Sequence, residues 1–576
     1  MRRVVFSLLL SLFAVAVNAQ TTWYNPMECE YDVIQNQAFT SEIKGYLRLP
    51  QRAQDKVRSS VWGLAKQSAG LSITFYTNSP QIEVRYETTD KSYAMPHMPS
   101  TGKSGVDLYR IDQDGTSDYV APNSYRFGDE VVLYRYYNME GSPRHGKGYE
   151  YRLYLPLYNG IKIMEIGVNE GSYFRFAPTS EEKPIILYGT SIAQGGCASR
   201  PAMAWSTILQ RALDLPLVNL GFSGNGPMET EVLDFIVETD ARLFVLDCYP
   251  NMTNAEYAQK VYPRTLAAIK QIRAKHDEPI LIVEHAGYSD DVVHTSKRTI
   301  VDSVNMAARR AYEELKAEGV KNIHYLTRRE LGFTQEMTVD GTHPTDLGMM
   351  QQAKAVEKKI REILQMPVGS RPTMQPVTQR REPNTYEWDV RHREIISEAR
   401  ERQAEAVILG NSIVHYWGGA HKKQNGEAVW NAKMGKFVNM GCGWDRVENL
   451  LWRVYNGELD GFEAKKVVVM IGTNNVGRDS DADIVAGVRM LLAAIKARQP
   501  KAEIVYVGIL PRRNDEQRIK ELNLWLESVV KQSGCKYINP GVKMLGEDGK
   551  INEKLFTDGL HPNNEGYSLI VDEITK

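Results

Sequence analysis

Two serines in this sequence stand where a short apolar run ends and a turn begins. Residues 185–188 are followed by Gly-Thr and then Ser191, and residues 406–409 by Gly-Asn and then Ser412. A short apolar run bounded by glycine is typical of a buried parallel strand, and open α/β sheets bind ligands just past the carboxyl ends of such strands. Each serine could be only a helix N-cap, or it could be a nucleophile.

A candidate base follows each serine in the pattern Asp-Gly-x-His. The pattern contains Asp340 and His343 in the first case and Asp558 and His561 in the second. A serine hydroxyl needs a base within hydrogen-bonding reach and a third group that orients the base, and Ser-His-Asp triads supply both. A single Asp-Gly-x-His-Pro stretch is usually only a turn, but its recurrence favours a triad for each serine.

Candidate donors for an oxyanion lie between each serine and its histidine. They are Gly224 and Asn251 in the first case and Trp444 and Asn474 in the second. Acyl transfer needs N–H groups aimed at the oxygen that becomes negative in the transition state. Backbone N–H groups of the serine and of Gly224 or Trp444, with the asparagine amide, could supply them, although an asparagine at a strand end is otherwise a common turn former.

The spacing of these motifs indicates that a whole domain is duplicated. Between the two copies, the serines are 221 positions apart, the Gly/Trp positions 220, the asparagines 223 and the histidines 218. Two unrelated segments would rarely keep that spacing.

The elements that must position the motifs alternate between strand and helix. This alternation predicts, for each copy, a parallel sheet with helices on both faces. The predicted strands are residues 185–188, 217–220, 243–247, 280–284 and 322–326 in the first copy, and 406–409, 437–440, 467–471, 504–510 and 536–538 in the second. The predicted helices include residues 254–275, 297–317 and 389–402.

The N-terminal part has a different pattern. From about residue 21 to 178, alternating strands such as 71–76 and 81–86 predict a β-sandwich. Residues 104–109 within it contain Gly-x-Asp, which is typical of a turn. The predicted organisation is a signal peptide (1–19), an N-terminal β-sandwich (20–180), a first α/β domain (181–366), a proline-rich linker (367–385) and a second α/β domain (386–576).

Bulk properties exclude several classes of protein. A chain of 576 residues is too long for one core. The net charge of −1 and the lack of Lys/Arg runs give no reason to expect a nucleic-acid partner. The cysteines are too scattered for a disulfide framework or a Cys-x-x-Cys metal site, so no metal or cofactor is predicted; they are Cys29, Cys197, Cys248, Cys442 and Cys535.

The first nineteen residues are typical of an export signal. Arg2 and Arg3 precede an apolar run that ends in small residues before Gln20. This pattern predicts cleavage after Ala19 rather than a membrane span, and the residue after that point is not the cysteine of a lipid anchor. The mature protein is therefore expected to be periplasmic or secreted, without insertion into a membrane.

The ordered motifs resemble the SGNH/GDSL hydrolase superfamily, which is named for a nucleophilic Ser, an oxyanion Gly, an oxyanion Asn and a base His. The first copy resembles bacterial esterases whose N-terminal domain carries Gly-x-Asp-Leu-Tyr, here residues 105–109. The second is similar to platelet-activating-factor acetylhydrolase catalytic subunits in residues 443–459, 471–475 and 508–511. The resemblance implies two flavodoxin-like α/β/α sandwiches. Trp444 departs from it, because the family has glycine there and a glycine conformation of the backbone is not expected of tryptophan.

The resemblance implies a secreted serine esterase that removes O-acetyl groups from a glycan through an acyl-enzyme, with two catalytic domains and no metal. A lipid or phospholipid acylhydrolase is an alternative, as is a pectin-type methylesterase, because the machinery would be the same. In a further alternative, the copy with Trp444 is a degenerate glycan-binding repeat.

Overall fold

The computed structural model describes residues 20–142, 146–382, 386–419 and 425–576. The predicted signal peptide lies outside these residues. Among the helices in the described ranges, none has the length and apolar character needed to cross a membrane. The described chain contains four sheets, two of them antiparallel and two of them parallel.

The N-terminal β region, residues 20–178, forms the two antiparallel sheets. One sheet has the order β1-β10-β4-β8-β7 and the other β11-β3-β9-β5-β6, with β2 paired to β3. Alternate residues along β4 are buried, and side chains from both sheets share one apolar cluster, so the pattern of period two gives each sheet a core face. The strands are β1 (Thr21–Tyr24), β2 (Ile34–Gln35), β3 (Ser72–Thr77), β4 (Gln81–Thr88), β5 (Asp107–Ile111), β6 (Ser117–Val120), β7 (Ser124–Phe127), β8 (Val132–Tyr137), β9 (Tyr149–Tyr154), β10 (Ile161–Asn169) and β11 (Phe174–Phe176).

The first parallel sheet has the strand order β13-β12-β14-β15-β16. Ile186 and Tyr188 of β12 belong to the apolar cluster on one face, and Ile185 and Leu187 to the cluster on the other. Burial on both faces explains why the strand is a continuous apolar run. The strands are β12 (Ile185–Gly189), β13 (Leu217–Gly221), β14 (Leu243–Asp247), β15 (Ile280–Val283) and β16 (Ile323–Leu326).

The second parallel sheet repeats this arrangement with the order β18-β17-β19-β20-β21. Both orders read 2-1-3-4-5 along the chain, which is the flavodoxin-type order with a ligand crevice beside the first strand. The strands are β17 (Ala406–Gly410), β18 (Phe437–Gly441), β19 (Lys466–Met470), β20 (Glu503–Val507) and β21 (Lys536–Ile538).

The α-helices connect these strands and cover the parallel sheets. They are α1 (Ser59–Ala65), α2 (Ser100–Lys103), α3 (Ser191–Gln194), α4 (Trp205–Leu213), α5 (Thr230–Ile236), α6 (Ala255–Ala258), α7 (Val261–Arg273), α8 (Thr295–Ala317), α9 (Arg328–Leu331), α10 (Asp346–Ile363), α11 (Trp388–Glu401), α12 (Ser412–His415), α13 (Glu427–Val429), α14 (Val447–Tyr455), α15 (Asp481–Arg498), α16 (Glu516–Gln532) and α17 (Asn564–Ile574).

Three expectations about elements need correction. The helix predicted over 254–275 is divided into α6 and α7, because Pro263 has no N–H to donate and its ring clashes with the preceding turn, so it is accommodated in the first turn of a new helix. The Gly-x-Asp stretch is not a simple turn, since Asp107 begins β5. The N-terminal β region also contains the helix α1, whose Val61 and Ala65 pack in a core of the first parallel sheet.

The segment predicted as a linker is packed against the rest of the chain. Thr373, Gln379 and Arg381 are buried. Arg381 forms an ion pair of 3.0 Å with Asp114, in the turn between β5 and β6. Gln379 donates to the carbonyl of Gly443, just after β18, at 3.0 Å. The segment therefore joins the N-terminal β region to the second parallel-sheet unit through polar contacts, and such contacts produce no apolar periodicity in the sequence.

Candidate active site

The first candidate nucleophile lies where β12 ends and α3 begins. Thr190 is extended and caps the helix by accepting a hydrogen bond from the Ile192 N–H at 3.3 Å. Ser191 therefore occupies the first helical position, at the carboxyl end of a central strand. Its Oγ lies 2.8 Å from Nε2 of His343, and Nδ1 of that ring lies 2.7 Å from Oδ2 of Asp340.

The Asp-Gly-x-His turn orients its own base. Oδ1 of Asp340 accepts hydrogen bonds from the backbone N–H of Thr342 at 3.0 Å and of His343 at 2.8 Å. Gly341 between them has φ +88°, a left-handed conformation that favours glycine. The other carboxylate oxygen is left to face the imidazole, so the turn fixes the histidine relative to its aspartate.

The second site has the same geometry. Asn411 replaces threonine as the cap and accepts from the N–H two residues on at 3.0 Å. The Oγ of Ser412 lies 2.8 Å from Nε2 of His561, whose Nδ1 lies 2.7 Å from Oδ2 of Asp558. Gly559 has φ +84°. The structure thus brings together all six residues that the sequence predicted as two triads.

Both aspartates are held in the charged form. Partial burial is the largest single influence on the pKa of Asp340 and opposes ionisation, but hydrogen bonds from His343 and Thr342 outweigh it and lower the pKa below the ordinary 3.8. The pKa of Asp558 is lowered in the same way, with His561 and Leu560 as donors. At neutral pH each carboxylate can stabilise an imidazolium that forms beside it.

The backbone at the predicted oxyanion positions is alike in the two sites. Gly224 has φ +68° and Trp444 has φ +66°. Trp444 therefore has the left-handed backbone conformation that glycine adopts in the first site, contrary to the expectation from its side chain. A side chain other than glycine in this conformation costs about 1 kcal/mol, and the indole is 40% exposed.

Each of the two predicted oxyanion asparagines is hydrogen-bonded to the turn that carries Gly224 or Trp444. Oδ1 of Asn251 accepts a hydrogen bond from the Gly226 N–H at 3.0 Å. Nδ2 of Asn474 donates one to the Asp445 carbonyl at 2.9 Å. Because a side-chain amide has two N–H donors, each asparagine can also donate to a bound ester.

A pair of buried asparagines, Asn219 and Asn439, also supports the two sites, although the sequence predicted no role for them. Asn219 accepts from the Gly221 N–H at 2.8 Å and donates to the Ala193 carbonyl at 2.7 Å. Asn439 makes the matching contact with the Gly441 N–H at 2.9 Å and donates to the carbonyl of residue 414 at 2.8 Å. Each links the serine helix to the neighbouring strand, and recurrence at an offset of 220 was the available signal.

A second pair positions the turn before each oxyanion residue. Oε1 of Gln194 accepts from the Ser223 N–H at 3.0 Å. In the second site, Nδ1 of His415 accepts from the Gly443 N–H at 3.0 Å. Both acceptors lie three residues after the nucleophilic serine, but a glutamine and a histidine share no sequence pattern, so this role was missed.

Each parallel sheet also receives a buried arginine from outside it. Arg48, from the N-terminal β region, donates to the carbonyls of Asn219 at 3.1 Å and Gly221 at 2.7 Å. Arg391 of α11 donates to the corresponding carbonyl of Asn439 at 2.5 Å. Burial lowers the pKa of Arg48 to about 9. These arginines support the strand end that leads to each oxyanion turn.

The Gly-x-Asp-Leu-Tyr motif fastens the N-terminal β region to the first site. Oδ2 of Asp107 pairs with Arg200 at 2.9 Å and accepts from the Ala202 N–H at 2.8 Å. Tyr109 accepts from Arg200 at 3.1 Å. Burial raises the pKa of Asp107, although Arg200 opposes the shift. The motif thus anchors the loop that follows the serine helix.

The N-terminal β region also reaches the first triad directly. The Tyr158 hydroxyl donates to the backbone carbonyl of Ser191 at 3.1 Å. The ring of His97, in the loop before α2, has its centroid 5.6 Å from that of His343. Cys197 lies buried on the loop after α3. Burial and the Asp340 carboxylate raise the pKa of Cys197 to about 12, so it is a protonated thiol rather than a competing nucleophile.

Three family models match the chain. Two are described as the GDSL-like lipase/acylhydrolase family and match residues 182–361 and 408–569. The third is described as the N-terminus of an SGNH-hydrolase-type esterase and matches residues 21–174.

Relatives and solved structures agree with these matches. The chain is 26% identical over 190 residues to the alpha1 subunit of platelet-activating factor acetylhydrolase IB from Homo sapiens, covering 32% of the chain and 79% of the subunit. It is 28% identical over 192 residues to the alpha2 subunit from Rattus norvegicus, covering 32% and 80%. A structure described as that of a GDSL-like lipase from Bacteroides ovatus is 32% identical with a TM-score of 0.54, covering 60% of this chain and 98% of that one.

The chain therefore belongs to the GDSL-like lipase/acylhydrolase family, that is, to the SGNH hydrolases, and it carries two copies of the hydrolase unit behind an N-terminal Gly-x-Asp-Leu-Tyr region. The predicted resemblance is confirmed, and the protein is a carboxylic ester hydrolase.

Proposed function

We propose that this protein is an exported esterase that removes O-acetyl groups from carbohydrates at two separate catalytic sites. The observation that carries the proposal is that each Ser–His pair meets at 2.8 Å and each His–Asp pair at 2.7 Å. The proposed organisation keeps the predicted domains, and the export signal predicted for residues 1–19 supports a substrate outside the cytoplasm.

The proposed mechanism is the same at both sites. The Oγ of Ser191 or Ser412 attacks the ester carbonyl while His343 or His561 takes its proton. The protonated imidazole, stabilised by its aspartate, then gives that proton to the sugar oxygen as the C–O bond breaks, so that the sugar leaves as an alcohol. Water, activated by the same histidine, hydrolyses the acyl-serine and releases acetate.

The oxyanion of each tetrahedral intermediate would be bound by three N–H groups. In the first site they are the backbone groups of Ser191 and Gly224 and the Asn251 amide. In the second site they are the backbone groups of Ser412 and Trp444 and the Asn474 amide. These donors stabilise the oxyanion because the fold holds them in place, so they need no rearrangement when charge develops.

The choice of an acetylated sugar rests on the surroundings of the serines. His97 and Tyr158 border the first site, and Tyr416, with its ring 5.5 Å from that of His561, borders the second. Trp444 adds an indole that is 40% exposed. Side chains with an apolar ring and a polar edge can pack against a sugar ring and also hydrogen-bond to its hydroxyl groups, so they suit a sugar better than they suit a long acyl chain.

A lipid ester is the second candidate substrate. It is favoured by the name of the acetylhydrolase relatives, which act on platelet-activating factor, and the same name supports acetate as the acyl group. A methyl ester of a uronate would use the same residues. Comparing acetate release from acetylated oligosaccharides with hydrolysis of long-chain acyl esters, and with methanol release from pectin, separates the three.

The serine assignment is tested with Ser191→Ala, Ser412→Ala and the double variant, assayed for acetate release from a panel of acetylated polysaccharides. Each single variant should retain the activity of the other site, and the double variant should lose about 10⁴-fold or more. If one single variant already abolishes activity on every substrate, the other site is a degenerate binding repeat. A fully active double variant would overturn the proposal.

A further inference from the structure

Four possible metal ligands from three parts of the chain meet beside the first triad. They are His97, Cys197, Asp340 and His343, and one ligand atom from each lies within 4.8 Å of all the others. His97 belongs to the N-terminal β region, Cys197 to the loop after α3, and the other two to the Asp-Gly-x-His turn. The proposed hydrolytic mechanism uses only Asp340 and His343.

The kinds of ligand atom in this cluster favour one class of cation. A thiolate, imidazole nitrogens and a carboxylate oxygen are the groups that hold Zn²⁺, usually in a tetrahedron. In a tetrahedron, zinc–ligand bonds of about 2.0 to 2.3 Å place neighbouring ligand atoms about 3.3 to 3.8 Å apart. The cluster must therefore contract by about 1 Å at its widest, and His97 is exposed on a loop, so its side chain has room to turn inward.

We propose that this cluster binds Zn²⁺ and that the bound ion inhibits the first catalytic site. On binding, the Cys197 thiol loses its proton to solvent and forms the Zn–S bond. The one unprotonated nitrogen of the neutral His343 ring forms the Zn–N bond, so the ring has no lone pair left to accept the Ser191 proton, while its other nitrogen keeps its N–H. The inhibitory half of this proposal rests on the proposed function, whereas the binding half does not.

Among the residues that the structure describes, the second site lacks counterparts of two of the four proposed zinc ligands, Cys197 and His97. At the offset of 221 that relates the two serines, Cys197 corresponds to Gly418. The ring beside His561 is that of Tyr416, a phenol, where the first site has the His97 imidazole. In the described ranges of the chain, the second site forms no comparable cluster. We therefore expect zinc to act on one of the two sites.

Inhibition is measured on the full mature chain, stripped with a chelator and exchanged into chelator-free buffer, with acetate release followed against Zn²⁺. The variant Ser412→Ala, which reports the first site, should lose its activity at zinc concentrations about 100-fold below those that affect Ser191→Ala. Mg²⁺ should have no effect, because it prefers oxygen ligands and octahedral geometry.

Binding is measured separately with Co²⁺, whose thiolate complexes absorb in the near ultraviolet. The Ser412→Ala protein should bind one Co²⁺ with this band. Adding Cys197→Ser should abolish the band, and adding His97→Ala should weaken Co²⁺ and Zn²⁺ binding by about 100-fold or more, because a direct ligand contributes at least as much as the groups that support a ligand. Cys535→Ser and His294→Ala, which change a cysteine and an exposed histidine elsewhere, should change neither band nor inhibition.

The proposal is overturned if Cys197→Ser and His97→Ala leave the Co²⁺ band and the zinc inhibition unchanged, or if the band is absent from the Ser412→Ala protein. Zinc binding without inhibition of the first site would also contradict it. If no variant or wild-type chain releases acetate, the proposed function fails, and the Co²⁺ titration still decides whether the cluster binds metal.

Discussion

At the scale of single residues, the orientation of each histidine by its aspartate is the most informative feature. Asp340 and Asp558 each use one oxygen for backbone N–H groups and the other for the imidazole. An amide in place of the carboxylate would present N–H where an acceptor is needed, and the histidine would take the wrong tautomer. In the Ser412→Ala background, we expect Asp340→Asn to lower kcat about 10⁴-fold at unchanged fold, as judged by circular dichroism. A kcat within a factor of about ten of the parent would contradict the assigned role.

The same aspartates predict a dependence of stability on pH. Their pKa values are lower in the folded protein than the ordinary 3.8. Such a group contributes stability that is fully present above the ordinary value and is lost as the pH falls through the lower folded value. The difference in melting temperature between the parent and Asp558→Asn should therefore be constant from neutral pH down to about 4.5 and shrink below it. A difference that grows on acidification would contradict the direction of these shifts.

Trp444 predicts an unusual order of substitutions at the second site. Its backbone has φ +66°, which glycine adopts without strain and a β-branched residue scarcely at all. In the Ser191→Ala background, Trp444→Gly should retain most of kcat for a small acetyl ester, whereas Trp444→Val should lose more than about tenfold because the N–H is displaced. Valine is smaller than tryptophan, so equal or better activity of the valine variant would show that side-chain size, not backbone conformation, governs this position.

At the scale of elements, the buried asparagines join each serine helix to its neighbouring strand. Removing the Asn219 side chain leaves the Gly221 N–H and the Ala193 carbonyl without these partners. We expect Asn219→Ala to lower the free energy of unfolding of the first parallel-sheet unit by about 2 to 4 kcal/mol. Calorimetry should show this as a shift of one transition, and Asn564→Ala, at an exposed asparagine, should shift none. An unshifted profile for Asn219→Ala would contradict the structural role.

Much of the element pattern was predictable from the sequence, for identifiable physical reasons. Strands such as β12 are buried on both faces, so they are continuous apolar runs, and the duplication doubled the evidence for them. The break between α6 and α7 could have been predicted from Pro263. The roles of Arg48 and Arg391 could not, because a buried cation whose partners are backbone carbonyls far along the chain follows no local period.

At the scale of the whole molecule, the N-terminal β region is part of the first site rather than an appendage. The ion pair of Asp107 with Arg200 and the approach of His97 to His343 both cross from that region to the hydrolase unit. Such long-range contacts cannot be predicted from spacing. The triads could, because the sheet topology brings a residue after its first strand close to a turn before its last helix.

This coupling predicts an effect confined to one half of the chain. Asp107→Ala leaves Arg200 without its carboxylate and should destabilise the first unit by about 2 kcal/mol, less than the loss of a fully buried pair because Arg200 is partly exposed. Activity of the first site, measured in Ser412→Ala, should fall, while that of the second, measured in Ser191→Ala, should not. Equal losses at both sites would mean that the motif serves global folding.

The central claim, that the chain holds two independent serine nucleophiles, is tested most directly by mass spectrometry of the intact protein after reaction with a fluorophosphonate. The wild-type chain should gain two adducts, Ser191→Ala and Ser412→Ala one each, and the double variant none. Labelling of the double variant, or a wild-type chain that gains at most one adduct at saturating probe, would contradict the account.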